Sequence, residues 1–242
     1  MTIADNVLAV RTKIEHACQQ AGRNTEDVTL IAVSKTQPYE IVQEALAAGI
    51  NHLGENRVEE ASLKVPQVAA TTLHRPTWHM IGHIQSRKAR DLPPLFDVVH
   101  SVDSLKVALK LAESTNSIKK LMPLFLEINI SGENSKEGIE ASQWKQSQTV
   151  RETLWQLVSD IQAQEGLEIR GLMTMAPFYD DPQQTRPVFA ALRELRNELQ
   201  ASLGLKLPDL SMGMTNDYDV AIEEGSTHVR VGRAIFGERD YN

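Results

Sequence analysis

At 242 residues, 41% of them hydrophobic and 24% charged, the chain has the size and balance of one soluble α/β unit with little to spare. Its formal net charge of -7 excludes a dedicated nucleic-acid or anionic-membrane surface, because neutralising phosphate takes clustered Lys and Arg, and the run Arg87, Lys88, Arg90 is too short for that. Cys18 is the only cysteine, so neither an intrachain disulfide nor a thiolate metal cage is available.

The chain begins with an amphipathic helix, Ile3 to Ala21, that places Ile3, Val7, Val10, Ile14 and Ala17 on one face and stops at Gly22. Its charges exclude a signal peptide, and no apolar run reaches the length of a membrane span, so a cytoplasmic location is expected. Val28 to Pro38 follows, VTLIAVSKTQP, whose apolar core Thr29 to Val33 reads as a strand buried on both faces. Lys35 stands where that strand hands over to a helix, with Pro38 suited to the helix's first turn.

Tyr39 to Ala48 is an amphipathic helix, Asn51 to Glu55 a second strand, and a polar helix starts at Arg57. Pro66 to Pro76 shows no period and reads as a surface loop. Thr77 to Ile81, Phe96 to Val102 and Leu124 to Ile130 are the next strands. Between them lie a brief basic helix, Ser86 to Leu92, and a helix capped by Asp103 or Ser104 with Leu105, Ala108, Leu109 and Ala112 inward. After the turn-rich SGENSKEG come a long helix from Trp144 to Gln164, a strand Leu167 to Met173, and a helix opened by Asp181 and Pro182. A strand Asp209 to Ser211, a helix Tyr218 to Glu224 and a strand His228 to Val231 complete the series.

Eight strands, each followed by a helix-forming stretch, predict one TIM (β/α)8 barrel over residues 1–242, with an extra N-terminal helix and function at the strands' carboxyl ends. The rival, an open doubly wound sheet, lacks its G-x-G-x-x-G after the first strand. In a barrel the loops after the last two strands commonly cradle phosphate. Here Ser211 offers a hydroxyl and Gly213 a close backbone approach, while Gly232 and the amide of Arg233 open the final turn. Arg230 is a charge inside the apolar strand THVRVG; alternation turns it inward, to a ligand or to an ion pair with Glu55 or another interior carboxylate. Asn56 either bonds a ligand or caps the next helix. His79 and His83 straddle a strand end and a glycine turn, so the helical i, i+4 metal-ligand geometry is not available to them.

The stretches LIAVSKTQP, HLGENRVEE, WHMIGHIQSRK, INISGENSKEGI, RGLMTMAP, LSMGMTNDYDVAI and GSTHVRVGRAIFGERDY stand in one order along almost the whole chain. By these the sequence resembles the pyridoxal phosphate homeostasis protein family, also called YggS-like or proline synthase co-transcribed homologues. It departs from the family's pattern at Arg57, Arg87, Thr215 and Asn216. The resemblance implies a fold-type III barrel similar to the N-terminal domain of alanine racemase, holding pyridoxal 5′-phosphate (PLP) as a Schiff base on Lys35. It further implies that Ser211, Gly213, Gly232 and Arg233 hold the phosphate, that Arg230 meets the pyridine nitrogen and that Asn56 lies beside the ring.

A permanent guanidinium at that nitrogen disfavours its protonation and weakens the cofactor as an electron sink. Past Ile235 only Phe236 to Asn242 remain, too few residues for the second domain of a racemase. The expectation is therefore a monomeric PLP carrier that buffers the vitamer or hands it to PLP-dependent apoenzymes, with little turnover of its own. The alternative is a PLP-dependent racemase or decarboxylase completed by oligomerisation, with Tyr218 or Tyr241 of a neighbouring subunit as base; a Schiff-base aldolase on the same barrel is a third reading.

Overall fold

The computed structural model describes residues 2–72, 75–133 and 136–238. Helix α1 (Ile3–Gln20) starts in a capping box: the Thr2 hydroxyl accepts from the Asp5 amide and the Asp5 carboxylate from the Thr2 amide. Its buried face is Val7, Val10, Ile14, Ala17 and Cys18, close to the expected one. Gly22, with φ of 65°, turns the chain into β1 (Thr29–Val33).

The strands then follow as β2 (His52–Glu55), β3 (Thr77–Met80), β4 (Val98–Val102), β5 (Met122–Asn129), the two-residue β6 (Ile139–Glu140), β7 (Leu167–Met173), β8 (Asp209–Met214) and β9 (His228–Val231). Every pairing is parallel. The order β4-β3-β2-β1-β9-β8-β7-β5, with β4 also paired to β5, closes eight strands into a barrel, while β6 extends β5 outside the ring. Buried aliphatic side chains such as Ile31, Leu53, Val99, Leu124, Leu126, Leu172, Leu210 and Val229 make these strands apolar runs, as strands covered on both faces require.

Outside the ring lie α2 (Tyr39–Ala47), α3 (Val58–Thr71), α4 (Leu105–Ser117), α5 (Gln148–Gln162), α6 (Arg186–Leu203), α7 (Tyr218–Glu223) and α8 (Arg233–Phe236); a 3-10 turn, Ser86–Asp91, stands after β3. α1 packs on α7 and α8. The expected TIM barrel with its extra N-terminal helix is the observed fold.

Four local expectations are corrected. The segment from Pro66 is not a loop at its start: α3 runs through Pro66 to Thr71, held by its buried Val58, Ala61, Val65 and Val68, so tertiary packing offsets the interior proline. α5 begins at Gln148 rather than Trp144, because Ser147 caps it by accepting from the Val150 amide. α4 turns Val107, Ala108, Leu111 and Ala112 inward, whereas Leu109 is exposed. β8 continues three residues past Ser211 to Met214, which changes what Ser211 and Gly213 face.

Candidate cofactor site at the carboxyl end of the barrel

Lys35 lies just beyond β1, half-buried, in the wall of a cavity of about 540 Å³ at the barrel mouth. The same cavity is lined by Arg230, Gly232, Arg233, Met214, Thr215, and by Pro177 and Phe178 beyond β7. The backbone presenting Lys35 is unusual, since Thr36 adopts a left-handed φ of 64°, a region non-glycine residues avoid. A buried ionic cluster holds it there. Ser34 Oγ donates to Glu55 Oε1 at 2.7 Å, Lys64 Nζ donates to the Ser34 carbonyl at 2.8 Å, to Glu55 at 2.7 Å and to Glu60 at 3.0 Å, and Glu60 accepts from the Thr36 amide. Burial pushes the Glu55 carboxyl up and the adjacent Lys64 ammonium pulls it back.

Arg230 points into the barrel from β9 and is 4% exposed. Its Nη1 donates to the Ser211 carbonyl at 2.9 Å and hydroxyl at 2.7 Å, and its Nη2 to the Thr174 carbonyl at 2.9 Å. Glu55 is spoken for by Lys64 and Ser34, so the alternative of an Arg230–Glu55 pair is not what forms. Burial lowers Arg230 to about 10, against the pull of Glu127 and Asp217. Glu127 on β5 is buried, one of its oxygens has no hydrogen-bond partner among the described residues, and burial raises it to about 7 with Arg230 opposing.

The two phosphate-loop candidates on β8 have other employment. Ser211 is fully buried, and its hydroxyl faces the barrel interior between Arg230 and His100 rather than the mouth. Gly213 has φ of 93°, and a Cβ there would meet Ala221 Cβ at 2.6 Å and Tyr218 Cα at 2.9 Å. A side chain there would push against α7, so the packing of that helix already requires glycine. The turn that does reach the cavity is Thr215 to Asp217, closed by Asp217 Oδ1 accepting from the Met214 amide at 2.6 Å.

Gly232 and Arg233 both line the cavity; in the first turn of α8 the Ile235 amide already donates to the Gly232 carbonyl at 2.9 Å, and the amides of Arg233 and Ala234 precede that bond. Arg233 Nη2 donates to Asn216 Oδ1 at 3.2 Å and ties the two turns together. Thr215 is thus a cavity residue that the sequence flagged only as a departure.

Asn56 is next to Lys35 by register, since Val33 pairs with Gly54. It lines the neighbouring cavity of about 500 Å³, with Arg57, His83 and Lys88, and its buried Oδ1 has no hydrogen-bond partner among the described residues. It does not cap α3, whose N-cap is Arg57 with no side-chain bond. Tyr218 is buried against α1, with Lys13 Nζ 4.8 Å from its ring centre, so it is not presented to a neighbour's cavity; burial pushes its hydroxyl up to about 12. Tyr241 lies outside the described residues. His79 and His83 face different ways: His79 is inside the barrel, hydrogen-bonded to His52 and His100, while His83 stands at the rim with Nδ1 3.5 Å from Asp103 and 3.7 Å from Glu137.

This parallel eight-stranded barrel belongs to the alanine racemase N-terminal domain class, whose family model matches residues 9–240. Within that class the chain belongs to the pyridoxal phosphate homeostasis protein family. The proteins of that name from Pseudomonas aeruginosa and Escherichia coli K12 are 41% and 37% identical to it over 240 and 246 residues, covering 99% of this chain and 97% and 98% of theirs. Among solved structures, PipY of Synechococcus elongatus superposes with a TM-score of 0.83 without PLP and 0.78 with PLP bound, at 34% identity, over 98% of this chain and 100% of that one. Alanine racemase of Clostridium difficile shares the fold at 16% identity and a TM-score of 0.69, with 98% of this chain matching 58% of that one.

Proposed function

We propose that this protein is a PLP-binding member of its family, a single barrel domain that holds the vitamer on Lys35 and serves intracellular PLP homeostasis rather than turnover. The observation that carries the reading is one cavity in which Lys35, Arg230 and the β8 and β9 turns meet. Its volume of about 540 Å³ is in the range of small-ligand pockets. The donor set suits PLP: Lys35 supplies an amine for the aldehyde, with loss of water. Thr215, Gly232, Arg233 and the amides of Arg233 and Ala234 supply an anion cradle, and Asn56 stands beside Lys35 by strand register, on the side of the neighbouring cavity. PipY, which this chain matches over its whole length, is known with PLP bound.

Bound PLP supplies an electron sink whose strength depends on protonation of its ring nitrogen. Arg230, charged and pinned by three hydrogen bonds, is the group placed to oppose that protonation, which favours holding over catalysis. The close relatives carry the name of a homeostasis protein, which supports that role; the carrier of this proposal acts as a monomer and passes PLP to PLP-dependent apoenzymes. The test is the visible spectrum of purified, PLP-loaded protein beside Lys35→Ala. The wild type shows the imine band and the variant loses it with its circular dichroism unchanged; an identical band in both, or racemase and transaminase rates far above those of free PLP, would defeat the reading.

A further inference from the structure

Barrels of this type are ordinarily filled by layers of branched aliphatic side chains. One level of this barrel is instead built from imidazoles. His52, His79 and His100 come from β2, β3 and β4, and His228 from β9. Ring centres are 5.2 Å apart for His52 and His79, 5.0 Å for His79 and His100, and 5.8 Å for His100 and His228, while His100 stacks on Phe125 at 4.3 Å.

Three of the four form a line. His52 Nδ1 lies 3.0 Å from His79 Nε2, His79 Nδ1 is 2.8 Å from His100 Nε2, and His100 Nδ1 is 2.8 Å from Ser211 Oγ, the oxygen that receives the Arg230 Nη1 bond. Burial holds His79 and His100 well below the ordinary imidazole range, so each is neutral, with one N–H and one lone pair. Arg230 has donors only, and it therefore sets the direction of the whole line. Ser211 accepts from Arg230 and gives its single proton to His100 Nδ1. His100 must then donate from Nε2 to His79, and His79 from its own Nε2 to His52. The last N–H, on His52, is left at the half-buried foot of β2. The opposite direction would aim two donors at Ser211 Oγ and leave its own proton no partner among those bonds. Every donor meets an acceptor along the line, which is the condition for a buried polar chain to be tolerated. An aliphatic layer would fill the same space with no such condition to meet, so packing does not account for it.

We propose that His52, His79, His100 and Ser211 are positioning residues for Arg230: a one-way line of hydrogen bonds that fixes the guanidinium so that its remaining N–H groups face the ring nitrogen of bound PLP. With three of its five N–H groups committed to Ser211 and Thr174, two remain for a ligand. This inference rests on the PLP reading above and extends it to residues that line neither cavity.

The test uses protein loaded with PLP carrying ¹⁵N in its ring, read by the ring-nitrogen NMR signal and by PLP affinity in wild type, His100→Phe, Ser211→Ala and His100→Asn. The phenyl and alanine variants should move the signal toward that of a protonated pyridinium and weaken PLP about tenfold, while borohydride still marks Lys35. His100→Asn, whose amide oxygen can accept from Ser211, should restore the wild-type signal. An unmoved signal in both disruptive variants, or asparagine failing as badly as phenylalanine, overturns the relay. Should His100→Phe not fold by circular dichroism, Ser211→Ala decides by the same criterion. Absence of a Lys35 adduct in the wild type would instead remove the PLP reading, a different failure from an intact adduct with an indifferent ring nitrogen.

Discussion

Two cavities of nearly equal size, about 540 Å³ and about 500 Å³, open side by side at the barrel mouth, and they differ in what stands behind their walls. Behind the Lys35 cavity lie buried polar groups fixed by several bonds each: Arg230, and the Glu55–Lys64 pair under Ser34. The neighbouring cavity is edged by exposed Arg57 and Glu59 and by the Lys88–Glu59 pair, at 3.0 Å and largely in water. Volume does not separate the two. The desolvated charges do, because such groups are costly to bury and stay in place only when the surrounding fold completes their bonds.

That contrast is most exposed to failure at Lys64. Lys64→Met leaves the fully buried Glu55 without its counter-charge and Thr36 without the arrangement that holds its left-handed backbone. We expect a loss of about 3–5 kcal/mol in denaturant unfolding, the range for breaking one side of a buried pair, together with slower formation of the Lys35 adduct. A wild-type-like unfolding curve would mean the cluster does not support the Lys35 turn.

Glu127 sharpens the comparison through pH. Its carboxyl is raised from 4.5 to about 7 in the folded chain, chiefly by burial, so the proton is held more tightly folded than unfolded. Stability from this group is complete below about 4.5 and is lost as pH rises through about 7, a difference of about 3 kcal/mol at ~1.4 kcal/mol per pH unit. Glu127→Gln should therefore match the wild type near pH 4 and exceed it by up to about 3 kcal/mol near pH 8. Parallel stability curves across that range would refute the assignment.

Gly213 tests why its glycine is there. With φ of 93° and α7 2.6 Å from the place of a Cβ, Gly213→Ala should cost about 1–3 kcal/mol and shift the thermal midpoint even without PLP. An effect seen only on PLP affinity would return Gly213 to the phosphate loop. The smallest change is expected at the second cavity: Lys88→Ala removes an exposed pair and should alter stability by less than about 0.5 kcal/mol. PLP affinity should change less than about twofold, as titration of the imine band would show.

Much of this arrangement could be read from the residues. The strand TLIAV ending at Lys35, the lone Arg230 in an apolar strand and the glycine turn after β9 follow period and punctuation, which are local signals, and the structure sets them around one cavity. What escaped depends on contacts distant in sequence. Pro66 looked like a helix end because the apolar face that carries α3 past it is recognised only against the barrel. Ser211 and Gly213 were read from a strand ended at Ser211, whereas β8 runs to Met214 and sets them against His100, Arg230, Ala221 and Tyr218. The imidazole layer left a trace that went unused, single histidines at His52, His79, His100 and His228 in four separate strand segments. Lys64 left none, since nothing in a helical lysine announces that it is buried.

The most direct measurement is peptide mapping of PLP-loaded protein after borohydride reduction. We expect the pyridoxyl mass on the peptide containing Lys35 and on no other, with none in Lys35→Ala of unchanged circular dichroism. A pyridoxyl group found on another lysine, or PLP bound tightly with Lys35 unmodified, would contradict the account.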